Sequence, residues 1–296
     1  MHRLLLLAIC CAWTGAAADL KIDHVTIAGS DLKKLQADFA STGLPLVYGG
    51  RHSDGLTEMA LVSFPDGSYL ELIAPQATAD PQALAKQPWV QFMQANVGPC
   101  AWAVRSQDIA ADLKRLEAAG IAVSGPIAGG RARPDGTHLE WKTAQIGSEP
   151  RGSFFPFLIQ DVTPREQRAY PSGKPLTKDF SGVTRIVIAV RNLDEALKRY
   201  RTAYELPPPI KQVDTSIPAH LAGLGGTPIV LAQPLSPDSW LGRRLASFGE
   251  GPCAIVLGAR HPGHYHAAEH TRWFGFEVSW FDAEKLGWRL GFQQVE

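Results

Sequence analysis

From Lys21 to Pro75 the hydrophobic pattern changes period once and then changes back. Ile22 to Ala28 is an apolar, β-branched run carrying His24, and it reads as a strand. Asp31 is a natural N-cap, because its carboxylate accepts orphan backbone N–H bonds of a first turn. Leu32, Leu35 and Phe39 follow at i, i+3 and i+7, the spacing of one helix face, and Gly43 ends that helix. Three apolar runs come next, Leu46–Tyr48, Glu58–Phe64 and Tyr69–Ile73. Gly49-Gly50 and Pro65-Asp66-Gly67 separate them, both turn signals. The predicted unit is β-α-β-β-β, with His24 near its start and Glu71 near its end.

The same unit recurs. HVTIAGSDLKKLQADF aligns with RIVIAVRNLDEALKRY, so that His24 faces Arg185, Asp31 faces Asn192 and Glu71 faces Val230. A second echo pairs Gly98-Pro99-Cys100-Ala101 with Gly251-Pro252-Cys253-Ala254, each after a Trp-bearing amphipathic segment around Trp89 or Trp240. Between the echoes, Cys100–Val104, Ile109–Ala119 (stopped by Gly120), Ile121–Val123, His138–Ile146 and Phe154–Ile159 spell a second β-α-β-β-β unit. The fourth unit is irregular: a strand at Ala254–Leu257, a His-rich stretch Arg260–Thr271, then Phe274–Trp280 and Leu286–Phe292. Its helix is expected to be shortened or lost. The layout is A-B-A′-B′, with residues 19–162 as a first domain, 163–180 as a Pro- and charge-rich linker, and 181–296 as a divergent second domain.

With 296 residues and 45% hydrophobic content the chain can bury two cores. Lys+Arg 29 and Asp+Glu 29 balance, which argues against nucleic acid or an anionic membrane as partner. His2-Arg3, the apolar run Leu4–Trp13 and Ala16-Ala17-Ala18 read as a signal peptide over residues 1–18. Export to the periplasm or the extracellular space is expected, with no membrane insertion after cleavage. Two of the four cysteines leave with that segment. The remaining Cys100 and Cys253 lie in apolar strands and read as buried thiols rather than a disulfide.

Paired β-α-β-β-β units with a His on the first strand and a Glu on the last resemble the vicinal oxygen chelate superfamily. The pattern DHVTIAGSDL…GGRH…GLTE…GSYLELIAP is similar to the glyoxalase-like domain family, and the match runs from Lys21 to Asp161. The resemblance implies an α+β fold in which tandem units curl into open barrels. It also implies a small molecule in the first barrel, with or without lyase, isomerase or dioxygenase chemistry. A non-catalytic binder of the bleomycin-resistance type and a structural assembly module are the alternatives. It further implies one divalent ion (Zn, Fe, Mn or Ni) held by His24 and Glu71. The helix-cap alignment puts Ala101 and Phe157 at the matching positions of unit B, and neither binds a metal, so the shell is two donors short. His138 and Glu140 at i, i+2 share a strand face, and His138 is the candidate third ligand. Without a metal, His24 and Glu71 hydrogen-bond each other, or His24 acts as a general base oriented by Glu71.

Other candidates are Arg51 and His52 after the double glycine, and Arg131 with Arg133 from unit B, as anchors for an anionic ligand. Trp141 and Trp102 are candidate pocket walls, with core packing as the alternative for both. His261, His264, His266 and His270 match no zinc spacing and read as a solvated loop. No G-x-S-x-G elbow and no phosphate-cradling loop occurs in the sequence.

Overall fold

The helices start where the caps say. Asp31, Asp108 and Asn192 each accept from the backbone N–H groups of the first turn of the helix that follows. The computed structural model describes residues 20–295, and the signal-peptide reading over residues 1–18 lies outside them. The first half contains β1 (Ile22–Ala28), α1 (Leu32–Ala40), β2 (Val47–Arg51), β3 (Thr57–Ser63) and β4 (Tyr69–Pro75). Two short helices, α2 (Pro81–Leu84) and α3 (Val90–Ala95), lead into β5 (Gly98–Arg105), α4 (Ile109–Ala118), β6 (Val123–Ala132), β7 (His138–Ile146) and β8 (Phe157–Asp161). A further helix, α5 (Arg165–Ala169), follows. The eight strands form one sheet in the order β2-β3-β4-β1-β5-β8-β7-β6.

The second half repeats this with β9 (Phe180–Ala189), α6 (Leu193–Tyr204), β10 (Ile210–Asp214), β11 (Ala219–Gly223) and β12 (Ile229–Pro234). Helix α7 (Trp240–Phe248) then precedes β13 (Gly251–Ala259), β14 (Glu269–Trp273), β15 (Phe276–Trp280), α8 (Ala283–Leu286) and β16 (Arg289–Gln294). Their order, β10-β11-β12-β9-β13-β16-β15-β14, is that of the first sheet. Between β13 and β14 the unit's helix is reduced to one 3-10 turn, Pro262–His264. The fold is α+β, built from four β-α-β-β-β-type units.

Register bears out the aligned positions. Thr26 pairs with Glu71 across β1 and β4, and Ala103 pairs with Phe157 across β5 and β8. Val187 likewise pairs with Val230 in the second sheet. Ala101, Phe157, Arg185 and Val230 therefore occupy the places of His24 and Glu71 in the other units.

The double glycine is not a turn. Gly49 and Gly50 lie inside β2, where an irregular register and a positive φ of 113° at Gly50 bring the strand onto β6. A Cβ on Gly50 would sit 2.5 Å from the Ala132 carbonyl oxygen, so only glycine permits the approach. A main-chain bridge between His52 and Arg131 then joins the two edges of the sheet. Strand β6 is correspondingly much longer than the Ile121–Val123 run suggests.

The two sheets share one hydrophobic cluster, to which α1 contributes Phe39 and the far end of the chain Trp288. Arg244 of α7 donates to the carbonyls of Val97, Pro99 and Pro252 across the same contact. Cys100 and Cys253 are free and buried, and burial pushes the Cys253 thiol up to about 12.

Candidate functional site

His24 and Glu71 stand on neighbouring strands, β1 and β4, at the wall of a cavity of about 310 Å³. A bulge in β1 shapes this wall. Between Ile22 and His24 the pairing with β5 skips a residue, leaving Asp23 as the extra one. Neighbours in a regular strand point to opposite faces, and a bulge lifts that restriction. Asp23 and His24 are hydrogen-bonded to each other, His24 Nδ1 lying 2.7 Å from Asp23 Oδ1.

Asp23 is fully buried and sits in a cage of cations. Arg168 of α5 grips it bidentately, Nη1 to Oδ1 at 2.9 Å and Nη2 to Oδ2 at 2.7 Å, and Arg165 donates to Oδ2 as well. Burial alone would raise the carboxyl pKa, but Arg168, His24 and Arg165 outweigh it and hold Asp23 well below the usual carboxylate range. Arg168 is itself 1% exposed, and also donates to Asp161 at 2.6 Å and to the Tyr69 hydroxyl at 2.7 Å. An ionised Asp23 accepts from His24 Nδ1–H, so in the neutral form of the ring Nε2 is the nitrogen without a proton. The imidazole is stacked on Tyr69 at 4.9 Å and meets the edge of Phe157 at 5.4 Å, so its plane is set.

Glu71 lies between two imidazoles. Its Oε2 is 3.6 Å from His24 Nε2 and accepts from the Thr26 hydroxyl at 3.1 Å. Its Oε1 is 3.5 Å from His52 Nε2, and the Nδ1 of that ring is held by the Thr57 hydroxyl at 2.7 Å. Burial works to raise the Glu71 pKa, yet His52, His24 and Thr26 together bring it down to about 2. The carboxylate is ionised at neutral pH, and it faces the nitrogen of His24 that would receive a proton.

The rest of the cavity is aromatic and cationic. Trp89, Trp141, Tyr69, Phe157 and Ile127 supply the apolar wall. Arg151 lies over the Phe157 ring, its guanidinium carbon 4.3 Å from the centroid. Its Nε is buried without a hydrogen-bond partner among the described residues, and burial lowers its pKa. Arg131 also lines the cavity, but it donates to the backbone carbonyls of Gly49 and Arg168.

Of the residues predicted from sequence, His24, Glu71, His52, Arg131 and Trp141 line this cavity together. Arg51 does not: it is exposed at the end of β2, opposite Glu58. His138 does not either. It shares a face with Glu140, but Leu139 and Trp141 are the inward residues of β7, and His138 and Glu140 point to solvent. Arg133 pairs with Asp135 at 2.8 Å and donates to the Pro171 carbonyl, pinning the chain after α5. Trp102 is buried in the core. Sequence reasoning missed Asp23, Tyr69, Arg151, Arg165 and Arg168. Only the Asp-His pair on β1 carried a local signal. The arginines arrive from a loop and from the segment expected to be a linker.

The divalent ion that the resemblance implies would need three or four converging donors here. Two of them, His24 and Glu71, stand in place, and Ala101 and Phe157 fill the other two positions. His52 is the nearest substitute, 3.5 Å from Glu71 Oε1, but His24, Glu71 and His52 do not bring one donor atom each within 4.8 Å of the others. Among the described residues, the set of three His, Cys, Asp or Glu donors within 4.8 Å of one another is Asp179, His261 and His264, elsewhere in the fold. His24, Glu71 and His52 therefore do not fit a centre with three converging protein donors.

No curated protein sequence matches the chain. Among solved structures, a hypothetical protein from Staphylococcus aureus is 17% identical over 93% of this chain and 100% of its own, with a TM-score of 0.65. That likeness speaks to fold and extends it over both sheets. Methylmalonyl-CoA epimerase from Mycobacterium tuberculosis is 16% identical over 40% of this chain and 91% of its own, with a TM-score of 0.36. The family model of the glyoxalase-like domain matches residues 22–204, the whole first sheet and the opening of the second. With its unit order, its register and its His and Glu on β1 and β4, the chain belongs to the glyoxalase-like domain family of the vicinal oxygen chelate superfamily.

Proposed function

We propose that the first sheet's cavity binds a small organic anion with an apolar or aromatic body, and that His24 Nε2 takes up and returns a proton on it. The observation that carries this reading is Arg151, a guanidinium at the cavity wall that makes no hydrogen bond to the described residues and lies over the Phe157 ring. A carboxylate supplies what is missing, and a planar fork favours a bidentate partner. The flat walls of Trp89, Trp141 and Tyr69 suit the ligand's body.

The proton step follows from the hydrogen bonds. Asp23 holds Nδ1–H, so Nε2 is the basic nitrogen, and a proton leaving the ligand forms an imidazolium flanked by Asp23 and Glu71. Negative charge left on the ligand stays beside Arg151. Glu71 is a positioning and charge-stabilising residue here, and Asp23 fixes the ring.

The test is calorimetric titration of a panel of small aromatic and aliphatic monocarboxylates against the wild type, Arg151→Met and His24→Gln. Binding that falls at least tenfold in Arg151→Met and survives in His24→Gln supports the anchor. Proton exchange at the ligand's α-carbon, followed by NMR in heavy water and lost in His24→Gln, supports the chemistry. Bound ligand with no exchange in the wild type leaves a binding protein and overturns the proton step. No binding by any acid overturns the whole reading.

We further infer, from the pattern of residues 1–18, that the mature chain begins at Asp19 and works outside the cytoplasm. Intact mass of the protein recovered from the exported fraction tests it, and a full-length mass there overturns it. Among the described residues no helix is long and apolar enough to cross a membrane.

A further inference from the structure

The one-turn replacement of the fourth unit's helix creates a second cluster of chemistry, on residues that do not line the cavity. The 3-10 turn Pro262–His264 sets His261 and His264 with their rings stacked, centroids 5.3 Å apart and planes 17° from parallel. Both turn Nδ1 toward one carboxylate. His261 Nδ1 is 3.3 Å from Asp179 Oδ1, and His264 Nδ1 is 3.4 Å from Asp179 Oδ2. Asp179 lies just before β9, and its carbonyl accepts from the backbone N–H of Arg260, so the two chain segments are already fastened together.

We propose that Asp179, His261 and His264 form a binding site for a borderline divalent metal ion of the zinc type, at the seam between the start of β9 and the turn after β13. The separations are the first argument. Tetrahedral bonds of about 2.0–2.2 Å from zinc to nitrogen and oxygen place neighbouring donors about 3.3 Å apart. The observed 3.3 and 3.4 Å, measured to the two oxygens of the one carboxylate, lie near that spacing, and the second is a long hydrogen bond. One donor atom from each residue lies within 4.8 Å of the others.

The surroundings are the second argument. Tyr265 donates its hydroxyl to Asp179 Oδ2 at 3.1 Å, the outer bond that orients a ligating carboxylate. Two near-parallel imidazoles aimed at the same anion repel each other if both are protonated. A shared cation accepts both lone pairs and removes the conflict. Both histidines are more than half exposed (side chains 58% and 63%), which gives an ion a way in and leaves its remaining positions to water. Two imidazoles and one carboxylate are a borderline set, favouring zinc, copper or nickel over calcium or magnesium. An ion here would clasp the residues just before β9 to the turn that stands in for a missing helix.

The test uses the mature chain without an affinity tag, titrated with zinc chloride by calorimetry and followed by melting. One equivalent should bind and raise the melting temperature. His264→Gln and Asp179→Asn should each weaken binding at least tenfold, while His24→Gln and His266→Gln leave it unchanged. Far-UV circular dichroism checks that the variants fold, and His264→Gln, on an exposed turn, keeps the test decisive if Asp179→Asn does not. No saturable binding overturns the proposal. So does zinc that persists in His264→Gln, and zinc that disappears in His24→Gln places the ion in the cavity instead.

Discussion

The two sheets share strand order and aligned register, yet one encloses a polar cavity and the other is filled. At matching places the first has His24 and Glu71 where the second has Arg185 and Val230. In the other pair of units, Ala101 and Phe157 correspond to Ala254 and Gly291. The interior of the second sheet is taken by Trp273 and Trp280, each 1% exposed and packed edge to face at 5.2 Å with Val187, Val230 and Val256 around them. Their indole N–H groups are satisfied by Asp214 and Thr271. Arg185, at the place of His24, donates to Gln293 and lies beside Phe274 and Phe276. Even closure differs. A main-chain bridge joins the edges of the first sheet, whereas the Gln212 side chain spans β10 and β14 in the second, its amide donating to Arg272 O and accepting from Phe274 N. One backbone plan thus serves as a container or as a solid wall, depending on a few inward side chains.

That contrast can be broken from either side. Arg168→Met removes the main counter-charge of buried Asp23 and should cost about 3–5 kcal/mol in denaturant unfolding, because the buried carboxylate keeps only Arg165 and His24 as partners. Trp273→Ala should cost a similar amount, about 3–5 kcal/mol, through the cavity it leaves. The two differ in function: carboxylate binding in the first sheet should survive Trp273→Ala, and its loss would show that the second sheet is not merely a wall.

A smaller effect is expected from acid. Glu71 titrates at about 2 in the folded chain, below its ordinary 4.5, so the unfolded chain binds its proton first. The ionised carboxylate therefore contributes stability that is complete above the unfolded value and is lost as pH falls from there toward 2. Linkage puts the contribution at about 3 kcal/mol. The stability difference between wild type and Glu71→Gln, measured by urea unfolding from neutral pH downward, should shrink across that window. A difference independent of pH would mean that His24 and His52 do not stabilise the carboxylate.

The smallest effect on stability should come from Arg151→Met. It removes no hydrogen bond, a guanidinium–ring contact of about 0.5–1 kcal/mol and a longer-range attraction to Glu71, so melting should move little while carboxylate affinity drops. A large loss of stability with unchanged affinity would make Arg151 a structural residue.

Much of the frame was legible from single positions. Asp31, Asp108 and Asn192 cap their helices as read, because an N-cap is a contact between residues two or three apart. The helix-cap alignment located Ala101 and Phe157, and the repeat alignment Arg185 and Val230, in agreement with the observed register, because copies of one unit keep one register. The orientation of β7 was legible too but misjudged. Leu139, Trp141 and Thr143 alternate with His138, Glu140 and Lys142, and the second set is the polar, outward one. Other features left no local trace. The bulge at Asp23 depends on how β1 meets β5. Arg168 comes from a segment whose prolines and charges resemble a tether, and nothing in its neighbourhood tells that its guanidinium will be buried against Asp23 and Asp161.

The sequence by itself determined the units and their helix caps, since these follow from short-range periodicity and repetition, and the resemblance to the family brought His24 and Glu71 together. The tertiary structure alone decided which polar groups meet: Arg168 on Asp23, Arg151 at the cavity wall, and Asp179 beside the turn that carries His261 and His264. Those meetings join residues far apart in the chain, and their stability depends on burial and on charge compensation in three dimensions, which no local pattern encodes.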